Sequence, residues 1–380
     1  MNNSINHFPL PANEPVLKYL KDSPERIALE KELEKQSSNV IEIPLIIGGK
    51  EIYTGNTAKV VMPHNHSHVL AIYHKAGEKE VQMAIDAAMD AHKIWSEMNW
   101  ATRAPIMLKI AELLSTKYRA TINAATMLGQ SKNIYQAEID SACETIDFFR
   151  FNVSFAAEIY KTQPASNFSQ LNRMEYRALE GFILAVSPFN FTSIGSNLNM
   201  APVMMGNTTL WKPATTAILS NYWLMRVFME AGLPEGVVNF LPGSGALIGK
   251  IALSSKDFGG IHFTGSNNTF NSLWREVGEK LSTYKSYPRL VGETGGKDFI
   301  FVHPSAQALE VATAAFCGAY EFQGQKCSAA SRMYVPESLW QEVKKEMLSF
   351  ASQVKMGDVR DHRNFINAVI DEASFDNIVS

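Results

Sequence analysis

Short apolar segments alternate with longer stretches of helical periodicity between residues 181 and 281, and this alternation constrains the fold more than any other feature. The apolar segments are "GFILAVSP", "NTTLWKP", "GVVNFLPG" and "GGIHFTGS", and the helical stretches include "AILSNYWLMRVFMEAG" and "TFNSLWREVGEKL". Strands that alternate with helices pack as βαβ units around a parallel sheet. The sequence therefore predicts an α/β protein, whose ligands should bind at the carboxyl ends of the strands.

The chain before this region has a different pattern. Residues 1–60 combine a polar arm, a short charged helix in "SPERIALEKELEKQ" and a hairpin turn at Gly48 and Gly49. Three segments with helical spacing of apolar residues follow over 78–160, which predicts three helices. Residues 161–180 are polar and irregular, with strand-like alternation near their end. We expect a hairpin there that leaves the body of the domain.

Charge and cysteine content exclude several classes of function. A net charge of -3 and a pI near 6.3 provide no basic field for nucleic acid, so a small-molecule ligand is expected. Three cysteines without CxxC spacing favour a reducing compartment, and the histidines of "PHNHSHVL" have no cysteine or carboxylate beside them, so we expect no metal site. No signal peptide or membrane-spanning run is visible, which predicts a cytoplasmic protein.

Cys327 is the strongest candidate for chemistry. It lies in "EFQGQKCSAASR", among glycine, glutamine and small polar residues, whereas structural cysteines usually lie among apolar side chains. Lys326 and Arg332 are close in sequence and would favour the thiolate. By contrast, Cys143 and Cys317 lie in apolar helical patterns, and we assign both to packing.

Two polar residues that follow apolar strands could assist a nucleophile. Asn190 in "SPFNF" could donate to a developing oxyanion, although asparagine is also a common turn or N-cap residue. Glu293 in "LVGETGGK" could act as a general base if it is partly desolvated. The alternative for Glu293 is a turn carboxylate in water.

Lys212 and three glycines of "LPGSGALIG" are candidates for a phosphate or ribose site. Gly243, Gly245 and Gly249 approach the dinucleotide fingerprint with one extra residue, and a plain tight turn is an equal alternative. Lys212 ends a strand in "LWKP" and could reach a ribose hydroxyl or a phosphate. A solvated lysine at a strand end is the alternative.

The segment "IHFTGS" places a glycine and a serine between a buried strand and a helix. Backbone N–H groups at such a helix start, together with the Ser266 hydroxyl, could face a pyrophosphate. An ordinary N-cap is the alternative interpretation.

The order of these motifs is more specific than any one of them. Taken along the chain, "SPFNF", "LWKP", "LPGSG", "FTGS", "GETGGK" and "GQKCS" resemble the aldehyde dehydrogenase superfamily. Three longer segments, "SPFNFTSIGSNLNMAP", "PRLVGETGGKDFIFVH" and "YEFQGQKCSAASRMYVP", are similar to its branch that acts on pyrroline-5-carboxylate. The resemblance runs from about Phe8 to Ser380.

The resemblance implies an aldehyde dehydrogenase fold with three parts. A Rossmann-like NAD-binding domain with a parallel sheet would comprise residues 1–160, including the N-terminal arm, and 181–292. Residues 161–180 would form a small oligomerisation hairpin, and 293–380 would belong to an α/β catalytic domain. Because the chain ends at Ser380, we expect that domain to be incomplete here.

The implied activity is NAD-dependent oxidation of L-glutamate 5-semialdehyde, the open form of pyrroline-5-carboxylate, to L-glutamate in proline catabolism. Cys327 would attack the aldehyde, and the Asn190 amide and the Cys327 N–H would hold the oxyanion. Glu293 would activate the water that hydrolyses the thioester. Relatives that pass the acyl group to coenzyme A tend to lack this carboxylate, so its presence favours hydrolysis.

The same matching implies residues for cofactor and substrate. The cofactor-binding positions would be Ser187, Pro188, Phe189, Lys212, Gly243, Gly265, Ser266 and Glu293. The substrate-side positions would be Glu138, Phe191, Lys326 and Ser328. Thr215 stands where members that prefer NAD usually carry an acidic residue, so we expect NAD and keep NADP possible.

Partners and alternatives follow from the same resemblance. We expect a small aldehyde substrate, a dimer-based homo-oligomer in the full-length form and an association with a proline dehydrogenase, with no nucleic acid or membrane partner. Two alternatives stay open: a related enzyme for another aldehyde, and a non-catalytic fragment that binds the cofactor.

Overall fold

The computed structural model describes Phe8 and residues 10–380. Residues 1–7 and 9, which include the start of the expected polar arm, lie outside the described residues. The strands are β1 (Ile41–Ile43), β2 (Leu45–Ile47), β3 (Lys50–Ile52), β4 (Thr57–Met62), β5 (Asn65–His74), β6 (Phe182–Val186), β7 (Thr209–Lys212), β8 (Val238–Phe240), β9 (Phe258–Gly265), β10 (Arg289–Thr294), β11 (Asp298–Phe301) and β12 (Ala330–Tyr334). The helices are α1 (Pro24–Ser38), α2 (Glu78–Trp95), α3 (Trp100–Ser115), α4 (Arg119–Gln130), α5 (Ile134–Ala137), α6 (Glu144–Lys161), α7 (Thr192–Met204), α8 (Ile218–Glu230), α9 (Gly245–Ala252), α10 (Asn267–Glu279), α11 (Ala308–Tyr320), α12 (Glu337–Gln353) and α13 (Glu372–Val379).

Seven strands form the largest sheet, in the order β10-β9-β6-β7-β8-β2-β3. The five strands from β10 to β8 run parallel, as the alternation of strands and helices predicts. β2 joins β8 antiparallel and turns into β3 at Gly48 and Gly49, whose φ angles of 56° and 75° suit a two-residue hairpin turn. The predicted α/β class and the predicted hairpin are both confirmed.

Helices cover both faces of this sheet because neighbouring residues of a strand point to opposite sides. In β7, Leu210 packs in the hydrophobic cluster that contains residues of α2 and α9, whereas Trp211 packs in the cluster that contains residues of α7 and α8. Both side chains are fully buried. The strands are therefore held from two sides, which fixes the residues that follow their carboxyl ends.

The helical layer over residues 78–161 has more helices than the three that the sequence predicts. α2, α3 and α6 correspond to the expected segments, and α4 is an additional helix. Nearly every residue of α4 is buried, including the polar residues Arg119, Asn123 and Gln130, so polar residues do not mark an exposed face of this helix. Within the described part of the chain, no helix combines the length and the apolar character needed to cross a membrane.

Between α5 and α6 the helix widens. Residues Glu138–Cys143 form a π-helical segment that continues into α6 without a break. A π turn holds an extra residue and changes which side chains face a neighbour, and such turns are frequent at functional sites. Here Asp140 and Glu144 both point toward other parts of the domain, where they contact Lys132 and Ser193.

Residues 161–180 leave the domain body, as expected, but without a regular hairpin ladder among the described residues. A single bridge joins Asn167 to Gln170, and the side chain of Gln163 exchanges hydrogen bonds with the backbone of Met174. The polar sequence supplies side-chain contacts in place of paired strands. Phe168 at the tip is fully exposed.

The last part of the chain builds a smaller unit. β11 and β12 pair in parallel, and α11 packs on α12 through a small cluster that includes Ala312 and Val343. The assignment of Cys317 to packing is wrong, because it lies on the outward face of α11 and is exposed. Cys143 is buried, as predicted.

Candidate active site

The order of the strands reverses beside β6. β7 and β8 follow β6 on one side, whereas β9 and β10 lie on its other side. Connections then leave β6 and β9 in opposite directions and open a crevice at their carboxyl ends. Residues 187–190 follow β6 there, and Ser266 follows β9. This crevice is the candidate ligand site.

The loop that carries Cys327 begins with an unusual turn. Phe322 and Gln323 take left-handed φ angles of 51° and 58°, which are uncommon for residues other than glycine and cost about 1–3 kcal/mol each. Residues 367 and 368 hold the side chain of Gln323. Its Nε2 donates to the Ala368 carbonyl oxygen at 2.7 Å, and its Oε1 accepts from the backbone N–H of Asn367 at 3.0 Å. These contacts fix the approach of the chain to Cys327.

The three residues predicted to be catalytic lie together. The Cys327 Sγ donates to Oε1 of Glu293 at 3.5 Å. The Asn190 Nδ2 donates to the carbonyl oxygen of Gln325, in the same loop as Cys327, at 3.1 Å. Glu293 is carried by β10 of the large sheet, and Asn190 follows β6. The structure thus joins three segments that are far apart in sequence.

The environment of Cys327 differs from the one expected. Burial of the thiol and the neighbouring Glu293 carboxylate raise the pKa of Cys327, and the backbone N–H groups of Cys327 and Ser328 oppose the rise. Glu293 is exposed, so the expected partial desolvation of this carboxylate is wrong. Its side chain reaches solvent at the end of a strand at the edge of the sheet.

The two cations that are close to Cys327 in sequence, Lys326 and Arg332, do not stabilise its thiolate. The Lys326 Nζ lies 2.8 Å from Glu321 and 3.5 Å from Asp140, so its charge is neutralised by two carboxylates. The Arg332 Nη1 donates to the Tyr334 hydroxyl at 3.4 Å. Lys326 and Arg332 are close to Cys327 in sequence, but they do not produce the expected preference of Cys327 for the thiolate form.

The glycine pair after Glu293 permits a close approach of two loops. A Cβ atom on Gly296 would lie 1.9 Å from the carbonyl oxygen of Cys327, and Gly296 has a φ of 142°. Gly295 also has a positive φ, of 77°. Only glycine fits where the chain between β10 and β11 passes Cys327.

Lys132, Asp140 and Glu144 form a charged group beside Lys326 that the sequence interpretation missed. Asp140 is ion-paired with Lys132 and lies within reach of Lys326. Burial raises the pKa of Glu144, while a hydrogen bond from Ser193 at 2.7 Å opposes the rise. The available signal was a pair of acidic residues four positions apart within an otherwise apolar helical pattern.

Glu138 is not on the substrate side, contrary to expectation. It is 0% exposed, and its two carboxylate oxygens accept hydrogen bonds from Tyr19, Arg119 and Asn123. The amide of Leu17 donates to it as well, at 2.9 Å. Glu138 thus anchors the N-terminal arm to α4, and no acceptor capacity is left for a ligand.

Lys212 and Gly243 both lie at the crevice edge of the large sheet. Lys212 is half-buried, burial lowers its pKa, and within the described residues its ammonium group has no hydrogen-bonding or ion-pair partner. Gly243 has a φ of 153°, and a Cβ there would lie 3.1 Å from the Ala76 nitrogen. A half-buried, unpaired cation next to a glycine turn suits an anionic or hydroxylated ligand.

Gly265 and Ser266 join β9 to α10. The Ser266 Oγ accepts from the Thr269 amide at 3.2 Å and so caps the helix, which is the ordinary alternative foreseen for it. A Cβ on Gly265 would lie 2.7 Å from the ring of Phe263. The N-terminus of α10 lies at the carboxyl end of β9, and the start of a helix is a favourable place for a phosphate group.

The segment after β6 is only partly turned toward the crevice. The Ser187 Oγ accepts from Trp211 Nε1 at 3.0 Å, so this side chain faces the sheet, and the carbonyl oxygen of Phe189 accepts from Gln130. Pro188 is half-buried. Of the predicted substrate-side residues, Phe191 is buried with Lys326 5.8 Å from its ring, and Ser328 is exposed next to the thiol.

Comparisons with known proteins agree with this geometry. Residues 52–380 match the aldehyde dehydrogenase family. The chain is 46% identical over 377 residues to the mitochondrial delta-1-pyrroline-5-carboxylate dehydrogenase of Dictyostelium discoideum, with 98% of this chain and 68% of that protein covered. The crystal structure of the delta-pyrroline-5-carboxylate dehydrogenase from Mycobacterium tuberculosis bound with NAD has a TM-score of 0.97 at 46% identity, covering 100% of this chain and 71% of that one. Proline utilization A from Bdellovibrio bacteriovorus has a TM-score of 0.93 at 26% identity, covering 99% of this chain and 39% of that one.

Proposed function

Because this chain belongs to the aldehyde dehydrogenase family, we propose that it oxidises L-glutamate 5-semialdehyde, the open form of pyrroline-5-carboxylate, to L-glutamate in proline catabolism. The observation that carries the proposal is the meeting of Cys327, Glu293 and Asn190 at the crevice. The substrate is supported by the names of the Dictyostelium and Mycobacterium relatives.

Cys327 is the nucleophile of this proposal. Its thiol releases a proton to solvent, the thiolate forms a bond to the aldehyde carbon, and the carbonyl oxygen becomes an oxyanion as the carbonyl π bond breaks. The Asn190 amide and the backbone N–H of Cys327 donate to that oxyanion. For this role Asn190 must release the Gln325 carbonyl oxygen, which it contacts at 3.1 Å.

Glu293 is the general base for hydrolysis. Once the carbon attached to Cys327 is oxidised to a thioester, Glu293 takes a proton from water, whose oxygen adds to the thioester carbon. The carbon–sulfur bond then breaks, which frees the carboxylic acid product and the cysteine. The Glu293 Oε1 atom lies 3.5 Å from the Cys327 Sγ atom, which supports this role because the base lies next to the thioester that water must attack.

The residues at the crevice fit NAD. The unpaired cation of Lys212 would contact the ribose, and the start of α10 at Ser266 would face the pyrophosphate, with Gly243 and Gly265 leaving space beside them. When bound, NAD would supply the hydride acceptor for the oxidation. The NAD in the Mycobacterium structure supports this choice over NADP.

The substrate side would be lined by Phe191, Lys326 and Ser328. Ser328 is exposed beside the thiol and could donate to a substrate carboxylate. Glu144 takes the place in this set that was expected for Glu138, because it lies in the charged group around Lys326.

Assembly and location form part of the same proposal. A dimer-based homo-oligomer through residues 161–180 is supported by the exposed apolar side chains of that segment. Association with a proline dehydrogenase is supported by the similarity to proline utilization A. A cytoplasmic location is supported by the cysteines, which are all free of disulfide bonds in the described residues. The name of the Dictyostelium relative, by contrast, describes a mitochondrial protein. Light scattering, co-purification and cell fractionation test these three points.

The decisive experiment follows NADH formation with pyrroline-5-carboxylate, beside Cys327→Ser. We expect turnover that the substitution abolishes while NAD binding survives, and turnover that persists in Cys327→Ser would refute the mechanism. Succinate semialdehyde lacks the amino group and tests the substrate. Equal kcat/KM for the two aldehydes would favour an enzyme for another aldehyde.

A further inference from the structure

The residues at the carboxyl end of α4 are buried although they are polar. Gln130, Ser131 and Lys132 are each 0% exposed, and the helix ends at Ser131 with a left-handed φ of 63°. A lysine is almost never fully buried unless its ammonium group is paired. The partners of Lys132 therefore indicate what it does there.

The Lys132 ammonium group contacts one carboxylate and two aromatic rings. It forms an ion pair with Asp140, and it lies 4.2 Å from the centre of the Phe191 ring and 4.3 Å from that of Phe322. Burial lowers the pKa of Lys132 to about 8, and the Asp140 carboxylate opposes that shift. A cation shielded from water is attracted strongly to aromatic faces.

The two rings belong to the two loops that meet at the active site. Phe191 directly follows Asn190, and Phe322 lies in the left-handed turn that leads to the nucleophilic cysteine. Gln130 adds a contact to the first loop, because its Nε2 donates to the Phe189 carbonyl oxygen at 2.5 Å. The buried end of α4 thus contacts both loops from behind.

We propose that Lys132 is a positioning residue that joins these loops and sets the place of Cys327 relative to Asn190. The alternative is an ion pair that only fills the core, and such pairs can often be replaced by apolar residues without loss of stability. The cation between the rings favours positioning, because a neutral side chain would remove the charge that attracts both the Phe191 ring and the Phe322 ring. The inference rests on the role of Cys327 in the proposed function.

The test removes both charges at nearly constant volume in the double variant Lys132→Met/Asp140→Asn. Arg103→Met is the matched control, because Arg103 is also a buried cation, 3% exposed, but its partners are backbone carbonyl groups and Tyr160, away from the candidate site. Each protein is compared in thermal unfolding, NADH formation and alkylation of Cys327 by iodoacetamide. Mass spectrometry of the peptide that contains Cys327 gives the alkylation rate.

We expect the double variant to be alkylated at least about threefold more slowly than the control, since a relaxed turn moves the N–H groups of Cys327 and Ser328 away from the sulfur. Its kcat should fall about tenfold to hundredfold, with the KM for NAD little changed, because the loops and not the cofactor site are displaced. A folded double variant that is alkylated at the control's rate or faster would overturn the proposal.

Alkylation requires neither aldehyde nor cofactor, so the two proposals can fail separately. Slow alkylation of the double variant, beside a wild type that oxidises no aldehyde, would refute the proposed function and leave the positioning role intact. If the double variant does not fold, Phe322→Leu replaces it, because it removes one ring and keeps the ion pair. An alkylation rate equal to wild type in Phe322→Leu would then overturn the proposal.

Discussion

Glu293→Gln tests the electrostatics of the nucleophile, because glutamine keeps the shape of the side chain and removes its charge. After burial, the neighbouring carboxylate is the next cause of the raised pKa of Cys327. Both side chains reach solvent, so at the observed 3.5 Å a thiolate and a carboxylate repel each other by about 1 kcal/mol in a water-like dielectric. Without that repulsion, the thiolate fraction near neutral pH should be about fivefold larger.

In Glu293→Gln, the alkylation rate of Cys327 should rise by a smaller factor than its thiolate fraction. A thiolate of lower pKa is a weaker nucleophile, and a Brønsted coefficient of about 0.45 makes each thiolate about twofold less reactive. We therefore expect iodoacetamide to alkylate Cys327 about two- to threefold faster in Glu293→Gln than in the parent. Both proteins should carry Cys317→Ser, since Cys317 is exposed and would also react. A slower reaction in Glu293→Gln would refute the electrostatic reasoning and would mean that this carboxylate takes the thiol proton during attack.

Three further predictions concern the same loops. The alkylation rate of Cys327 should still rise above pH 9.0, the ordinary pKa of a thiol, because a raised pKa keeps the sulfur protonated to higher pH; a plateau below that pH would contradict this. Asn190→Ala should lower the kcat for NADH formation about 10²- to 10³-fold through loss of an oxyanion donor, and an unchanged kcat would remove Asn190 from the mechanism. Gly296→Ala should abolish turnover and lower the Tm, since its Cβ would lie 1.9 Å from the Cys327 carbonyl oxygen, whereas Gly278→Ala, with open space around its Cβ, should change neither.

Local sequence patterns predict much of the fold and the three central residues of the candidate site. The buried strands are short apolar segments, and the alternation with helices fixes their parallel arrangement. Asn190 follows the buried strand β6, Glu293 lies in β10 and Cys327 precedes β12, and their motifs keep a specific order. In the structure the Glu293 carboxylate contacts the Cys327 thiol, and the Asn190 amide contacts the loop that carries Cys327.

The remaining features depend on partners that are distant in sequence. α4 is buried on nearly all sides, and its polar residues pair with distant parts of the chain, as Arg119 does with Glu14. The pKa of Cys327 is raised first by burial and then by the Glu293 carboxylate, 34 positions away along the chain, whereas the adjacent lysine is paired with other carboxylates. Glu138 and Glu144 are both acidic residues of one helical segment, and only their tertiary partners distinguish them, because Glu138 is bound by Arg119 and Glu144 by Ser193.

The π-helical segment Glu138–Cys143 also determines which insertions and deletions the gene can tolerate. Deleting one residue within it would restore a regular α-helix and leave both ends of the helix almost in place, so the protein could still fold. Side chains inside the segment would, however, point in other directions, because the widened turn holds the extra residue. Asp140 would then lose its alignment with Lys132 or with Lys326. A deletion that looks harmless for folding would thereby separate stability from catalysis, and such a mutant would be abundant in the cell but inactive.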